Sequence, residues 1–296
     1  MNFDLEKAFE TIKNEGAIYF KDLLSKEDIE QLLNDFDHKN NFFVQNQNDI
    51  SFFENQSIVT HPLLRSYRTL ELLSNDILQN LLNKLLHKPR ITSLRYYETY
   101  RGGKGNTFLW HHDEKKESNN INSILMIIYL NDIYNLNEGA FQYIRSSHLY
   151  SKNFDDLKSR PKKYKDFFKK NIEEEYKQSI VSVFGKAGTV ILADGRVIHK
   201  AHPRLEKNCR KVLMAQFKNI KNDTAMTIIN SKFLNDKILN SPQLKYFFGV
   251  GESNNGTSYP DNLQLKEIPF KFIYFIIFFK WFMIRIYKYI KRINKK

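Results

Sequence analysis

Four consecutive side chains in WHHDEKK (110–116), His111, His112, Asp113 and Glu114, are all able to bind a metal ion. Iron enzymes that activate oxygen commonly use two histidines and one carboxylate on one face of the metal, which leaves positions open for a cosubstrate and oxygen. A His-x-Asp at the end of a strand supplies part of that set, because alternate strand residues point to the same side. His111 and Asp113 fit this spacing. So do His112 and Glu114, one residue out of register and facing the other way, so the tetrad alone does not choose between them. With eight histidines in the chain, the bland reading is a charged turn that happens to contain histidine.

A third ligand must come from elsewhere, and ILADGRVIHKAHPRLEKNCRKVLMAQF offers one. The pattern predicts a strand ending near His199, a turn from Ala201 to Asn208, and a second strand beginning at Arg210. Such a hairpin would make His199 and Arg210 spatial neighbours. A guanidinium beside an iron site suits a dicarboxylate cosubstrate, one end of which chelates the metal while the far carboxylate takes a bidentate arginine pair. His202 is an alternative ligand, but it sits in a His-Pro turn beyond the strand.

The elements that must position these residues can also be read. LEKAFETIKNEG and SKEDIEQLLNDF have helical periodicity, the second opened by Ser25 as N-cap, with a short strand AIYF between them. A further amphipathic helix, NDILQNLLNKLLHK, precedes a series of strand-like runs: ITSLRYYETY, NSILMIIYLND, AFQYIRSS, GTVILAD and RKVLMAQF. Short strands punctuated by Gly, Asn and Asp predict an antiparallel β core with flanking helices rather than βαβ units. Residues 151–180 interrupt the series with a Lys-rich, partly helical insertion that reads as a lid or a solvated loop.

These residues together resemble the phytanoyl-CoA dioxygenase family of Fe(II)/2-oxoglutarate oxygenases. The resemblance rests on WHHD, on IYLND with EGAFQYIRSSH, and on GTVILADGRVIH with Arg210 eleven positions on. It extends to the opening AFETIKNEGAIYFKDLLSKEDIEQL and covers roughly residues 5–220. It implies a double-stranded β-helix, a cupin-like jelly-roll barrel with helices outside and the metal in its mouth. By position it makes His111, Asp113 and His199 the iron ligands and Arg210 the clamp on the distal carboxylate of 2-oxoglutarate, and it favours His111 over His112. It places Tyr129 near the cosubstrate and makes His148 a structural residue of a turn in which Ser146 replaces the family's glycine. Because Asp113 fills the site that related halogenases leave for chloride, the implied reaction is hydroxylation, with O2 as second cosubstrate and succinate and CO2 as co-products.

Composition bounds the rest. A single cysteine, Cys209, permits no internal disulfide, and MNFDLEKAFE carries acids where a secretory signal would be basic and then apolar, so the expected compartment is cytoplasmic. The net charge of +13 owes much to eight basic residues, without an acid, between Lys271 and Lys296. On a helical wheel Phe282, Met283, Ile286, Tyr287 and Ile290 share one side, while Lys280, Arg285, Lys288, Lys291 and Arg292 share the other, as in a helix lying at a bilayer surface. The expected organisation is an oxygenase domain over 1–250, a linker over 251–269, and a membrane-associating helix over 270–296 that meets anionic lipid. The cation cluster on an apolar tail argues against nucleic acid as partner. The expected substrate is a small or lipid-linked amphiphile, and the competing reading is a metal-free jelly roll acting as a membrane-held binding module.

Overall fold

A computed structural model of the chain describes residues 3–37, 40–44, 47–48, 50–53, 55–100, 109–114, 120–150, 173–206, 208–219, 228–251 and 266–269. Helix α1 (Leu5–Glu15) begins at Asp4, whose carboxylate accepts from Lys7 N at 3.0 Å, and ends at Gly16 in the left-handed conformation. Strand β1 (Ala17–Phe20) follows, then α2 (Lys26–Asp35), where Ser25 and Asp28 form the reciprocal capping box. Next come β2 (Asn40–Val44), β3 (Gln47–Asn48), β4 (Ile50–Phe53), β5 (Gln56–Val59), α3 (Tyr67–Leu73) and α4 (Asp76–Leu86). In α4, Leu78, Leu81, Leu82, Leu85 and Leu86 recur at helical spacing and are all buried.

The β core is built from β6 (Pro89–Thr99), β7 (Ser123–Tyr129), β8 (Phe141–Ile144), β9 (Ile180–Val183), β10 (Val190–Asp194), β11 (His199–Ala201) and β12 (Arg210–Asn219). One sheet has the order β1-β10-β7-β12-β6-β5-β4 and a second β11-β8-β9, both antiparallel throughout. The chain is thus mainly β, as its strand pattern predicts. Strand β7, SILMIIY, is buried at every position because both faces of the large sheet are covered. Leu125, Ile127 and Tyr129 pack with Phe141, Tyr143 and Val183 between the sheets, while Ile124, Met126 and Ile128 pack outward with α1, α4 and Pro242–Phe248. The two sheets therefore face each other across one apolar layer, and the helices cover the back of the larger one.

Two local expectations give way. The stretch 190–201 is not one strand: the Asp194 carboxylate accepts from Arg196 N at 2.9 Å and turns the chain between β10 and β11. Nor do His199 and Arg210 flank a hairpin. Strand β11 pairs with β8 in the small sheet, whereas β12 pairs with β6 and β7 in the large one. The connection crosses between sheets, held where His202 N donates to Ala140 O (2.8 Å) and Leu205 N to Asn137 O (2.9 Å). Strand β13 (Lys266–Pro269), at the end of the stretch read as linker, pairs with β2. Among the described residues no helix is long and apolar enough to cross a membrane. The tail at 270–296, residues 252–265, and most of the 151–180 interruption lie outside the described residues.

Candidate metal centre and cosubstrate pocket

His111 and His199 meet across a single antiparallel bridge: His111 N donates to His199 O at 3.0 Å and His199 N to His111 O at 2.8 Å. The bridge brings their rings to 4.4 Å between centroids. His111 is therefore held by one rung rather than by a regular strand, and Asp113 lies in a bend, so the alternation expected of His-x-Asp is not what aligns them. A different contact does. Asp113 N and Glu114 N both donate to Gly195 O, at 2.8 and 2.9 Å, folding the loop back so that Asp113 Oδ1 stands 3.9 Å from His111 Nε2. One ligand atom each from His111, Asp113 and His199 lies within 4.8 Å of the others. An ion with ligand bonds of about 2.0–2.2 Å draws such a set together by small side-chain rotations.

The ring orientations suit a metal. His111 Nδ1 is 2.7 Å from Leu109 O and His199 Nδ1 is 3.0 Å from Val197 O. A carbonyl can only accept, so each Nδ1 carries a proton and each Nε2 is the ring nitrogen left for a metal. Burial, with His111 beside it, pushes the His199 imidazole down to about 4, which keeps that ring neutral at pH 7. Two imidazoles and one carboxylate form the donor set of a non-haem Fe(II) facial triad. The other register is occupied elsewhere: the His112 ring contacts Glu114 O at 2.6 Å, and the Glu114 carboxylate pairs with Lys218.

The turn that carries Gly195 is itself rigidly built. Asp194 is fully buried and Arg196 nearly so, and Arg196 Nε donates to both carboxylate oxygens, at 2.9 and 3.2 Å. Gly195 has no room for a side chain, since a Cβ there would lie 1.8 Å from Ser123 Oγ. On the far side of His199, Ile198 N donates to Ser147 Oγ at 2.8 Å. Ser146 takes the left-handed conformation (φ 60°) that glycine would favour, and its Oγ donates to Asn14 O at 2.9 Å. His148 Nε2 contacts Lys13 O at 2.9 Å, so this turn ties α1 to the small sheet. The end of the 151–180 interruption docks nearby: the Glu173 carboxylate pairs with Lys200 and accepts from Trp110 Nε1 at 3.4 Å. Lys200 and Trp110 directly adjoin the two histidines in sequence.

The triad opens into a cavity of about 150 Å³ lined by Tyr97, Leu125, Ile127, Phe141, Val212 and Met214, with Gln56 and Arg210 among its polar members. The cross-sheet connection thus brings Arg210 to the same cavity as His199, although the two are not strand partners. Arg210 is buried, and among the described residues no partner meets its Nε. Gly139 makes its space, because a Cβ there would lie 2.7 Å from Arg210 Cδ. The Tyr129 hydroxyl accepts from Phe141 N (2.9 Å) and donates to Val183 O (3.1 Å), joining the two sheets beside Arg210 rather than lining the cavity. Burial pushes it up to about 12. His202, the alternative ligand, directs its ring to Pro203 O at 3.0 Å and does not join the cluster.

Sequence reasoning singled out the side chains that the structure clusters and missed what holds them together. Asp194 and Gly195 stand inside a motif it quoted, but a carboxylate next to a turn glycine is ordinary on a protein surface. Only the fold shows that both are sealed in. Ser147, Tyr97 and Phe141 also lie in quoted stretches, but nothing in their residue types marks them for the site.

A pair of facing antiparallel sheets with a His-Asp-His cluster and a buried arginine in one cavity defines the class of non-haem iron, 2-oxoglutarate-dependent enzymes. A model of the phytanoyl-CoA dioxygenase (PhyH) family matches residues 12–212, and the chain belongs to that family. Its cofactors are accordingly Fe(II) and 2-oxoglutarate. Among solved structures it is similar to HygX from Streptomyces hygroscopicus with nickel and 2-oxoglutarate bound, at 12% identity over 73% of this chain and 87% of that one, TM-score 0.52. It is also similar to the non-haem α-ketoglutarate-dependent epimerase SnoN from nogalamycin biosynthesis (15% identity, 73% and 82% covered, TM-score 0.51). The carbocyclase SnoK from the same biosynthesis gives 16% identity, 74% and 85% covered, and TM-score 0.51. At these identities the likeness is one of fold. No curated protein matches the chain.

Proposed function

We propose that this chain is a hydroxylase in which His111, Asp113 and His199 hold Fe(II) and Arg210 binds the distal carboxylate of 2-oxoglutarate. The observation that carries this reading is the convergence of three ligand atoms within 4.8 Å, in a cavity that also holds a buried arginine. Bound iron and 2-oxoglutarate supply the oxidising power from O2, with succinate and CO2 as co-products. The protein's own part is to present two bare Nε2 lone pairs and a carboxylate, orient the dicarboxylate by its far end, and keep water out with apolar walls. A carboxylate at 113 leaves no ligand position for a halide, which supports hydroxylation over halogenation.

Replacing Arg210 by Ala is expected to weaken 2-oxoglutarate binding at least ~tenfold while iron binding survives, since a buried charge-assisted pair is worth about 2 to 5 kcal/mol. Anaerobic titration of the Fe(II) protein measures it. Unchanged affinity would move the carboxylate to another cation.

For the substrate we infer an amphiphile, a lipid or lipid-linked sugar oxidised at an aliphatic or sugar carbon, on a peripherally membrane-associated cytoplasmic enzyme. Support comes from the mostly apolar cavity wall and from the apolar-and-basic pattern of 270–296. Each surface cation gains about 1 kcal/mol from anionic lipid. Full-length protein is therefore expected to sediment with vesicles containing phosphatidylserine, to bind neutral vesicles less, and to lose part of its binding at high salt. Equal recovery in the supernatant with and without vesicles would remove the membrane from this reading. Mass spectrometry of membrane extracts, seeking a 16 Da gain that requires the enzyme, tests the substrate class.

A further inference from the structure

A second arginine near the first has most of its hydrogen-bonding capacity unused. Arg204 is 1% exposed, yet among the described residues neither its Nε nor its Nη2 has a hydrogen-bond partner. Among the described residues its one hydrogen bond is weak, Nη1 to Glu138 O at 3.4 Å, and the Glu138 and Glu206 carboxylates favour its charge only from a distance. Among the described residues no carboxylate forms an ion pair with it. The Glu138 carboxylate instead caps its own turn, accepting from Asn135 N at 3.2 Å. Buried charges are normally paired, because desolvation costs several kcal/mol per ion, so this arrangement calls for an anion.

The 135–139 turn sets both arginines in place. Its carbonyls hold the 202–206 segment through Leu205 N and Glu206 N on Asn137 O, and through Arg204 Nη1 on Glu138 O. The next residue, Gly139, makes the space for the Arg210 side chain. Burial, reinforced by the like charge of Arg204, pulls the Arg210 guanidinium below its ordinary value. Two cations that repel each other in a poorly solvated site favour a ligand carrying negative charge.

We propose that Arg204 is a second cation of the cosubstrate site, reinforcing Arg210 in holding the distal carboxylate. This rests on the proposed binding of 2-oxoglutarate in the cavity. Arg204 stands back from the cavity wall, so it is a positioning residue, acting through its field and through the turn it shares with Arg210. The site then selects for a 2-oxo acid with a negatively charged far end.

The test compares two ligands on the anaerobic Fe(II) protein: 2-oxoglutarate, and 2-oxopentanoate, which carries a methyl group in place of the distal carboxylate. Arg204→Met is expected to lower 2-oxoglutarate affinity about tenfold, the scale of one charge at this range in a half-screened site. It should leave 2-oxopentanoate affinity unchanged, and Arg204→Lys should restore most of the loss. The metal-free Arg204→Met protein should melt no lower than wild type, because the variant removes an unpaired buried charge. Unchanged 2-oxoglutarate affinity would overturn the proposal, as would equal losses for both ligands or a large drop in melting temperature, which would make Arg204 a structural ion. If wild type itself binds no 2-oxoglutarate, it is the proposed function that fails.

Discussion

His199→Ala is expected to abolish the weak visible charge-transfer band that appears when 2-oxoglutarate is added anaerobically to the Fe(II) protein, and His111→Ala to do the same. Removing an outer-shell partner of a metal site commonly costs about 10–100-fold in affinity, and removing a ligand should cost more than about 100-fold. His199 is the more consequential of the two. It is buried at 5% exposure, its Nδ1 faces the Val197 carbonyl, and its backbone forms both halves of the bridge that holds His111. The informative control is His112→Ala, which removes a ring turned toward Glu114 O and should leave the band intact. A band lost on His112→Ala but kept on His111→Ala would assign the other register and overturn the triad.

The largest expected loss of stability belongs to a residue that touches no ligand. Asp194 is fully buried against Arg196, and the same carboxylate accepts the Arg196 backbone N–H. Deleting one member of a buried pair typically costs about 3–5 kcal/mol, because the remaining charge stays desolvated. A domain has only about 5–15 kcal/mol in total. Asp194→Ala should therefore lose a large share of its stability in a urea melt. Asp194→Asn, which keeps the acceptor for Arg196 N but not the charge, should lose less. The turn also presents Gly195 O to Asp113 N and Glu114 N, so whatever Asp194→Ala protein remains folded should bind iron more weakly. A melt within about 1 kcal/mol of wild type, on the scale of an ordinary surface change, would show that the pair is dispensable.

The elements carrying strong local patterns were legible in the sequence. Helices α1, α2 and α4 follow from apolar spacing, and the start of α2 from its Ser25 cap, while the caps at Asp4 and Asn75 emerge only from the structure. The continuous apolar run of β7 marks a strand covered on both faces. The candidate site was legible in side-chain type, because two imidazoles, one carboxylate and one guanidinium in that order form a chemically distinctive set. Its geometry was not. The expected hairpin joined His199 to Arg210 by a short turn, whereas the chain carries them on strands of different sheets and returns them to one cavity.

The sequence by itself determined the donor chemistry, the antiparallel β class and the family, since these depend on residue type, local periodicity and the order of motifs. The tetrad alone left two His-x-acid registers open and the family resemblance favoured His111, but only the tertiary structure shows what physically turns that register to the cavity. That choice rests on Gly195 O accepting two amides from a loop some eighty positions earlier, and on Lys218 drawing Glu114 away. Tertiary structure likewise decided that Tyr129 joins two sheets and that Asp194 is sealed from water. Such outcomes depend on which distant groups share a low-dielectric space, and no window of neighbouring residues encodes that.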